Sequence, residues 1–398
     1  MRILRISKKR MLLNGVGLLL LLALAACGKI AESILTIGGG LSTPEYAATP
    51  VKTYATPLPE FEALQFAWFY KPPDKNADLA AVAANFSLLI LTRNDESERS
   101  SLREMGYTGP VLQYLRFEAV MDPAGCTAKP FQNQVAHLEG DYCQLSQQHP
   151  DWFLNDINGK SIRYDQSQYV FMDPGNPQWQ AYFLDKVKGF QSDPGWSGVF
   201  LDNVDGSLGR FESMHTHLEN YADDAEYQQA IISFLKSLYT NYFAPSGKPL
   251  YANIPYLKNA DAWFAYLQYL DGAMLESFAA DWDHGYLSEE DWLGQLDLAE
   301  KTQALGKRII LVTQGSVTDQ QRMRYGLASF LLVNQGRANF RYSNDEAYRE
   351  LWWYPQFETD LGQPLGPRYA ENDRWRRDFE KGYVLVDPEK YSSEIISE

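Results

Sequence analysis

The chain of 398 residues has few of the side chains that build metal and redox sites, with three cysteines and five histidines. His215 and His217 lie two positions apart, but no third zinc ligand accompanies them, so we expect no metal or cofactor. No Gly-x-Ser-x-Gly turn follows an apolar run, which argues against a serine hydrolase. No glycine-rich fingerprint follows a strand-like segment, so an open nucleotide-binding fold lacks support.

Basic residues are also scarce: 36 Lys and Arg stand against 51 Asp and Glu, a formal net charge of −15. Residues 1–26 hold five of the basic residues and none of the acidic ones, so a chain without them carries a net charge of −20. Such a surface is a poor match for nucleic acid or anionic lipid. We therefore expect no nucleic-acid partner, and the charge suits a neutral or cationic substrate.

The N-terminus has the pattern of a targeting segment. Basic residues within positions 2–10 precede an apolar run, Val16 to Ala26, that is too short to span a bilayer comfortably. The run ends in Leu-Ala-Ala-Cys at Cys27, which resembles the lipobox of bacterial lipoproteins. That resemblance implies cleavage before Cys27, lipid on its thiol, and an exported chain anchored to a bacterial membrane on its extracellular or periplasmic face. An ordinary signal peptide or an uncleaved anchor is the alternative. Residues 27–60, rich in Gly and Pro, predict a flexible tether.

Two cysteines remain beyond Cys27. Cys126 and Cys143 lie in a chain that we expect to be exported, where disulfides form and persist. We predict that they pair, and two unrelated buried thiols are the alternative.

Residues 61–398 alternate apolar runs with helical patterns, which is typical of parallel strands covered by helices. The candidate strands are 65–70, 87–92, 110–116, 198–202, 249–254, 272–277, 308–313 and 337–342. The candidate helices are 74–84, 96–105, 177–190, 223–243, 260–270, 288–305 and 319–333. Eight such units favour an α/β fold of the (β/α)8 TIM-barrel type. A long insertion at 117–191 separates the third and fourth strands and carries an Asn158-Gly159 turn that predicts a hairpin. A C-terminal extension follows Tyr342, and we expect it to form a helix and a strand.

Carboxylates at the ends of barrel strands are the candidates for chemistry, because barrel enzymes build their sites there. Asp202 ends the fourth predicted strand in the segment GVFLDNVDG, and Glu276 ends the sixth. A glutamate after three apolar residues is costly to bury unless it is paired or functional. The fifth strand ends in Asn253 and the seventh runs into Gln314. Two acids among amides and aromatics are what glycoside hydrolysis requires. We predict Asp202 and Glu276 as the catalytic pair.

Several further residues occupy positions where a substrate could be contacted. They are Tyr70, Tyr114, Asp173, Asn203, Asp205, Asn253 and Phe278. Core or rim packing explains each aromatic residue equally well. Capping of a turn after the strand explains one of Asp202 and Asp205 easily, but it does not explain a second strand-end acid at Glu276. Asp205 and Asp173 are the reserves for either member of the catalytic pair.

These segments together resemble a known group of enzymes. MDP-x-NP-x-W at 172–179, GVFLDNVD at 198–205, LES at 275–277 and FE-x-GYVLV at 379–386 are similar to the polygalactosaminidase-type glycoside hydrolases of family 114 and, more closely, to the glycosidase-like barrel families related to them. The similarity covers most of residues 61–390. It implies a barrel and an endo-acting glycosidase whose acids match Asp202 and Glu276. The cysteine-bearing insertion departs from the pattern.

The sequence therefore predicts a lipid-anchored glycoside hydrolase of the cell envelope that acts on a carbohydrate substrate. Asp202 would be the nucleophile in a retaining reaction or the base in an inverting one, and Glu276 the general acid. A non-catalytic glycan-binding lipoprotein on the same barrel is the main alternative. A scaffold whose aromatic C-terminal extension docks a partner is a further one.

Overall fold

The computed structural model describes residues 64–164, 168–281 and 285–398. The predicted signal segment 1–26 and tether 27–60, with Cys27, lie outside the described residues. None of the helices in the described ranges is long and apolar enough to cross a membrane.

The strands of the described residues are numbered here in chain order. They are β1 Ala67–Phe69, β2 Leu88–Leu91, β3 Val111–Arg116, β4 Ala119–Met121, β5 Tyr169–Phe171, β6 Gly198–Asp202, β7 Leu250–Asn253, β8 Gly272–Leu275, β9 Ala280–Asp281, β10 Gly285–Tyr286, β11 Arg308–Gln314, β12 Ala338–Ser343, β13 Tyr369–Glu371, β14 Arg374–Phe379, β15 Gly382–Asp387 and β16 Ser392–Ser397.

The α-helices are α1 Leu79–Asn85, α2 Glu96–Glu104, α3 Asp141–Gln148, α4 Pro177–Phe190, α5 Gly209–Ser213, α6 Asp224–Leu238, α7 Ala244–Ser246, α8 Ala260–Leu267, α9 Glu289–Ala304 and α10 Gln320–Val333. Shorter helical turns of other types include a π-helical segment, Tyr239–Phe243, that continues α6. Local signals set several boundaries. Asn176 caps α4 by accepting from the Gln178 and Trp179 amides, and Pro177 occupies the first helical position.

Eight parallel strands form the barrel in the order β1-β2-β3-β6-β7-β8-β11-β12. A single parallel bridge between Phe66 and Phe340 closes it, where the Phe340 amide donates to the Gln65 carbonyl at 2.7 Å. All eight predicted strands are confirmed, and so is the α/β barrel class. The strands are buried on both faces, as continuous apolar runs such as Leu88–Leu91 require.

The predicted insertion lies between β3 and β6. Within it β4 and β5 pair antiparallel, and the predicted hairpin reduces to one bridge, Asn155 to Ser161, around a turn in which Gly159 has a φ of 76°. Cys126 and Cys143 form a disulfide, with their Cα atoms 5.6 Å apart. The predicted pairing is confirmed, and it ties the start of the insertion to α3.

Removing this disulfide is expected to destabilise the barrel. Closing 17 positions of chain contributes roughly 3 kcal/mol in the chain-entropy model, so we expect Cys126→Ser/Cys143→Ser to lose about 2–4 kcal/mol of unfolding free energy. Urea denaturation measures the loss. Dithiothreitol should produce the same shift in the wild type and none in the double variant. A reductant-sensitive midpoint in the double variant would contradict the assignment.

The C-terminal extension differs from the expectation of a helix and a strand. It contains a short 3-10 turn, Pro355–Glu358, and an antiparallel sheet in the order β13-β14-β15-β16. Arg377 of this sheet donates to the Leu331 and Asn334 carbonyls at 2.9 and 2.7 Å, at the end of α10. The sheet therefore packs on α10 and satisfies the carbonyls that a helix end leaves free.

Candidate active site

Three adjacent barrel strands bring the predicted acids together. Asp202 is the last residue of β6, Asn253 is the last residue of β7, and Glu276 directly follows β8. Because β6, β7 and β8 are hydrogen-bonded neighbours, their carboxyl ends meet at one edge of the barrel mouth. Asp202 and Glu276 are each partly exposed there, while Asn253 is buried beneath them.

The Asn253 side-chain amide joins the two carboxylates. Its nitrogen donates to Asp202 Oδ1 at 3.1 Å and to Glu276 Oε2 at 2.8 Å. The two contacted oxygens can lie no farther apart than these distances added together, about 5.9 Å. One amide nitrogen therefore holds the two carboxylates within reach of each other.

Asp202 accepts three hydrogen bonds from side chains. Besides Asn253, the Tyr114 hydroxyl and the Asn203 amide donate to Oδ2, the latter at 3.2 Å. Burial, with the neighbouring Asp202 charge, raises the pKa of Tyr114 well above its usual range, so the hydroxyl stays protonated and donates. These donors fix the orientation of the Asp202 carboxylate.

Glu276 occupies a different environment. Its Oε1 accepts from the Tyr348 hydroxyl at 2.6 Å and its Oε2 from Asn253. Burial, and secondly the Asp202 charge, raise the pKa of Glu276 to about 7. The Gln314 amide donates to the Glu276 carbonyl at 3.1 Å and to the Tyr348 hydroxyl at 3.3 Å, which holds this side of the site together. Glu276 can therefore carry a proton near neutral pH.

A buried polar network supports Asp202 from behind. Arg210 donates to both Asp205 oxygens at 2.6 Å and to Asn203 Oδ1 at 3.0 Å. Asp205 has no exposed surface, and burial raises its pKa to about 6. Asp205 therefore positions Arg210, and through it Asn203 beside Asp202. The Asp205 carboxylate does not reach the surface, and its contact with a substrate stays a prediction.

Glu118 is a further acid of this network that the sequence did not single out. It is 4% exposed and lies just beyond β3. Its Oε1 accepts from Arg116, from Tyr164 at 3.0 Å and from Asn203 at 2.9 Å. The Arg116–Phe–Glu118 spacing directly after a buried strand is the sequence signal that could have identified it.

The other predicted contact residues, Tyr70, Phe278 and Asp173, lie in different surroundings. Tyr70 is half-buried at the end of β1, and its ring centroid lies 4.8 Å from that of Tyr114, which places it near Asp202. Phe278 has no exposed surface, and its contact with a substrate stays a prediction. Asp173 is 8% exposed, and its carboxylate accepts from Tyr221, from Asn220 and from a backbone amide.

Two other kinds of candidate site for the described residues are a surface depression and a metal centre. A surface depression of about 750 Å³ beside Gly175 and α6 contains none of the residues that hold the carboxylates. Within the ranges that the structure describes, no group of three or more His, Cys, Asp or Glu side chains could hold a metal ion. The candidates for chemistry at the barrel mouth are therefore two carboxyl groups with different surroundings.

Residues 111–383 match the family described as hypothetical glycosyl hydrolase family 15. The chain belongs to this family. The match extends from β3 into β15, so it includes both carboxylates, Asn253 and the supporting network. Membership of hypothetical glycosyl hydrolase family 15 indicates a protein of the glycosidase class. A search of curated proteins gives no match.

Solved structures give weaker likenesses. The glycoside hydrolase domain of PelA from Pseudomonas aeruginosa is 17% identical, with 72% of this chain and 96% of that chain covered and a TM-score of 0.47. A maltogenic α-amylase, AmyB from Thermotoga neapolitana, is 10% identical over 82% and 86% of the two chains, with a TM-score of 0.45. A β-galactosidase from the psychrophilic Marinomonas ef1 is 10% identical over 71% and 54%, with a TM-score of 0.46. At these scores the likenesses carry no argument about function.

Proposed function

We propose that this member of hypothetical glycosyl hydrolase family 15 hydrolyses a polysaccharide or oligosaccharide with retention of anomeric configuration. Asp202 is the nucleophile, and Glu276 is the general acid and then the general base. The observation that carries the proposal is the Asn253 amide, whose nitrogen donates to one oxygen of each carboxylate and so limits the separation of these two oxygens to about 5.9 Å.

The spacing selects between the two mechanisms of glycoside hydrolysis. Carboxyl groups about 5–5.5 Å apart are typical of retaining enzymes, whereas inverting enzymes need about 6.5–9.5 Å to admit a water. The limit of about 5.9 Å set by the Asn253 contacts falls on the retaining side. This supports the nucleophile role for Asp202 over the role of base.

The environments of the two acids suit their proposed roles. Asp202 is held by three donors and attacks the anomeric carbon as a carboxylate. Glu276, with its pKa raised to about 7, gives its proton to the leaving glycosidic oxygen. Glu276 then takes a proton from water, the water attacks the anomeric carbon, and the bond to Asp202 breaks. Two steps thus regenerate both acids.

The proposal extends to the location of the enzyme. The basic N-terminus, the short apolar run and Cys27 support export and lipid anchoring at the bacterial envelope. The acidic composition of the rest of the chain supports a neutral or cationic glycan as substrate, with no nucleic-acid partner.

A polysaccharide digestion screen tests the proposal directly. The protein from residue 28 onward is incubated with a panel of neutral, amino-sugar and acidic glycans, and new reducing ends are measured. We expect the wild type to release reducing ends from at least one glycan. The double variant Asp202→Asn/Glu276→Gln should release none from the same glycan, because both reacting groups are lost while their shapes are kept.

Asp271→Asn is the matched control. Asp271 precedes β8 at the opposite end of the barrel and accepts from the Leu250 amide at 3.0 Å, an interaction that an asparagine oxygen can keep. We expect this variant to keep wild-type turnover. A wild type that binds a glycan but never cleaves it would support the glycan-binding alternative instead.

A further inference from the structure

The loop that follows β7, the strand that ends in Asn253, presents an exposed aromatic side chain. Tyr256 comes three residues after Asn253, and 41% of it is exposed. Most aromatic residues near the mouth are buried, Tyr114 and Tyr348 among them. An exposed tyrosine at this position therefore calls for an explanation other than core packing.

The loop is held firmly against the loop that follows β6. The Val204 amide donates to the Asn253 carbonyl at 3.0 Å, and the Gly206 amide donates to the Pro255 carbonyl at 2.8 Å. The Ser207 hydroxyl donates to the Tyr256 carbonyl at 2.6 Å. Consecutive hydrogen bonds of this kind fix the backbone of Tyr256 in place.

The fixed conformation is an unfavourable one for tyrosine. Tyr256 has a φ of 56°, in the left-handed region that bulky residues rarely adopt. Backbone strain of this kind persists only where the surroundings impose it, and it concentrates at binding and catalytic sites. Tyr70 and Asn203, which follow β1 and β6 at the same mouth, also have positive φ values, 74° and 59°.

Arg210 connects the Tyr256 ring with Asn203, the residue next to the proposed nucleophile. The Arg210 guanidinium carbon lies 4.8 Å from the Tyr256 ring centroid, and its Nη2 donates to Asn203 Oδ1. Asn203 in turn donates to Asp202. One charged group thus contacts both the Tyr256 ring and the residue next to the proposed nucleophile, which connects the exposed ring to the acid pair through Arg210 and Asn203.

We infer that Tyr256 is a binding platform on which a glycosyl unit of the substrate stacks, next to the bond that is cleaved. The ligand class is a pyranose ring, whose C–H face matches the face of an aromatic ring. The Arg210 guanidinium holds the tyrosine ring by a cation–π contact, and the ring presents its exposed part to the sugar. This inference rests on the proposed hydrolase function and adds a subsite to it.

Tyr256→Gly separates a binding platform from a structural residue. Glycine adopts a positive φ without strain, which offsets its entropy cost and the lost ring contacts, so we expect the unfolding free energy in urea to stay within about 1 kcal/mol of the wild type. We expect KM for the cleaved glycan to rise about tenfold or more, while kcat changes less than threefold. Tyr256→Phe keeps the ring and should stay within threefold of the wild type in both constants.

Binding is measured apart from turnover, by affinity electrophoresis of Glu276→Gln and of Glu276→Gln/Tyr256→Gly in gels that contain the same glycan. Tyr369→Ala is the control, because Tyr369 is 42% exposed but lies on β13 of the C-terminal extension. Unchanged KM and retardation in the Tyr256→Gly variants, with an active wild type, would overturn the platform and leave the hydrolase proposal standing. A wild type that cleaves no glycan, while Tyr256→Gly still weakens retardation, would overturn the hydrolase proposal and leave the platform in place.

Discussion

Replacing Asp202 with alanine is expected to lower kcat on the cleaved glycan by roughly 10³–10⁵-fold, the scale of losing a covalent nucleophile. Sodium azide is expected to restore part of the turnover when an aryl glycoside with a good leaving group is the substrate. The azide forms a bond to the anomeric carbon as the aryloxide leaves, so the product is a glycosyl azide of inverted configuration.

The contacts of Asp202 give the physical reason for this rescue. The Tyr114 hydroxyl and the Asn203 and Asn253 amides all donate to its carboxylate. Removing the carboxylate leaves three donors around a cavity that suits a small anion. A variant without the side chain therefore attracts azide to the position from which Asp202 attacks.

Proton NMR of the anomeric signals provides the measurement. The wild type should first release product of the substrate's own configuration, as a double displacement requires. The turnover of Asp271→Asn, whose substituted side chain lies at the far end of the barrel, should not change when azide is added. Product of inverted configuration from the wild type, or no response of Asp202→Ala to azide, would contradict the nucleophile assignment.

The activity of the wild type is expected to fall above pH 7, by up to tenfold for each further pH unit. Glu276 must be protonated to act as the general acid, and its pKa is raised to about 7. In Glu276→Gln this alkaline limb should be absent when the substrate carries a leaving group that needs no proton. The pH dependence of kcat/KM on both substrates measures it.

Tyr348→Phe gives a directional check on the same group. The Tyr348 hydroxyl donates to Glu276 Oε1 at 2.6 Å and favours the carboxylate, so its loss should raise the pKa of Glu276 further. We expect the alkaline limb to move upward by roughly 0.5 to 1 in pH. A downward move, or none, would show that another group sets the limb.

The raised pKa also makes Glu276 a cost to stability at neutral and alkaline pH. Its folded pKa of about 7 lies above the ordinary value of 4.5, so the folded state holds a proton that the unfolded state releases. The penalty is absent below about pH 4.5, grows as the pH rises to 7, and is complete above it. We expect Glu276→Gln to be more stable than the wild type at pH 8 by about 1–3 kcal/mol, and equal to it near pH 4.

The barrel could be predicted from the sequence because the patterns that mark its strands and helices are local. Short apolar runs alternate with helical patterns, and caps such as Asn176 mark where helices begin. The positions of Asp202 and Glu276 at the ends of β6 and after β8 follow from the same strand boundaries. The strand boundaries do not predict that Asn253 bridges the two acids, because this depends on the direction in which one side-chain amide points.

Two features of the structure differ from what the strand and helix patterns of the sequence predict, and each difference has a physical cause. The C-terminal extension was expected to contain a helix, but Asn372 and Asp373 both have positive φ and form the two-residue turn of a β-hairpin between β13 and β14. Phe278 and Asp205 were placed at the mouth because they follow strands. Whether a side chain after a strand faces the cleft or the core depends on how the loop turns, which strand boundaries alone do not tell.

The C-terminal extension packs against the point at which the barrel closes. In the described part of the chain, one bridge joins the two ends of the sheet, between Phe66, just before β1, and Phe340 of β12. The Phe357 ring contacts both of these rings, with centroids 4.8 and 6.2 Å away, and Trp353 contacts Phe66 at 5.2 Å. A fragment that ended at Ser343 would lack the Trp353 and Phe357 rings and so uncover part of the Phe66 and Phe340 side chains at this bridge. The extension thus covers the seam of the barrel, and it also supplies Tyr348, whose hydroxyl donates to Glu276 Oε1. A catalytic fragment therefore needs it on both counts.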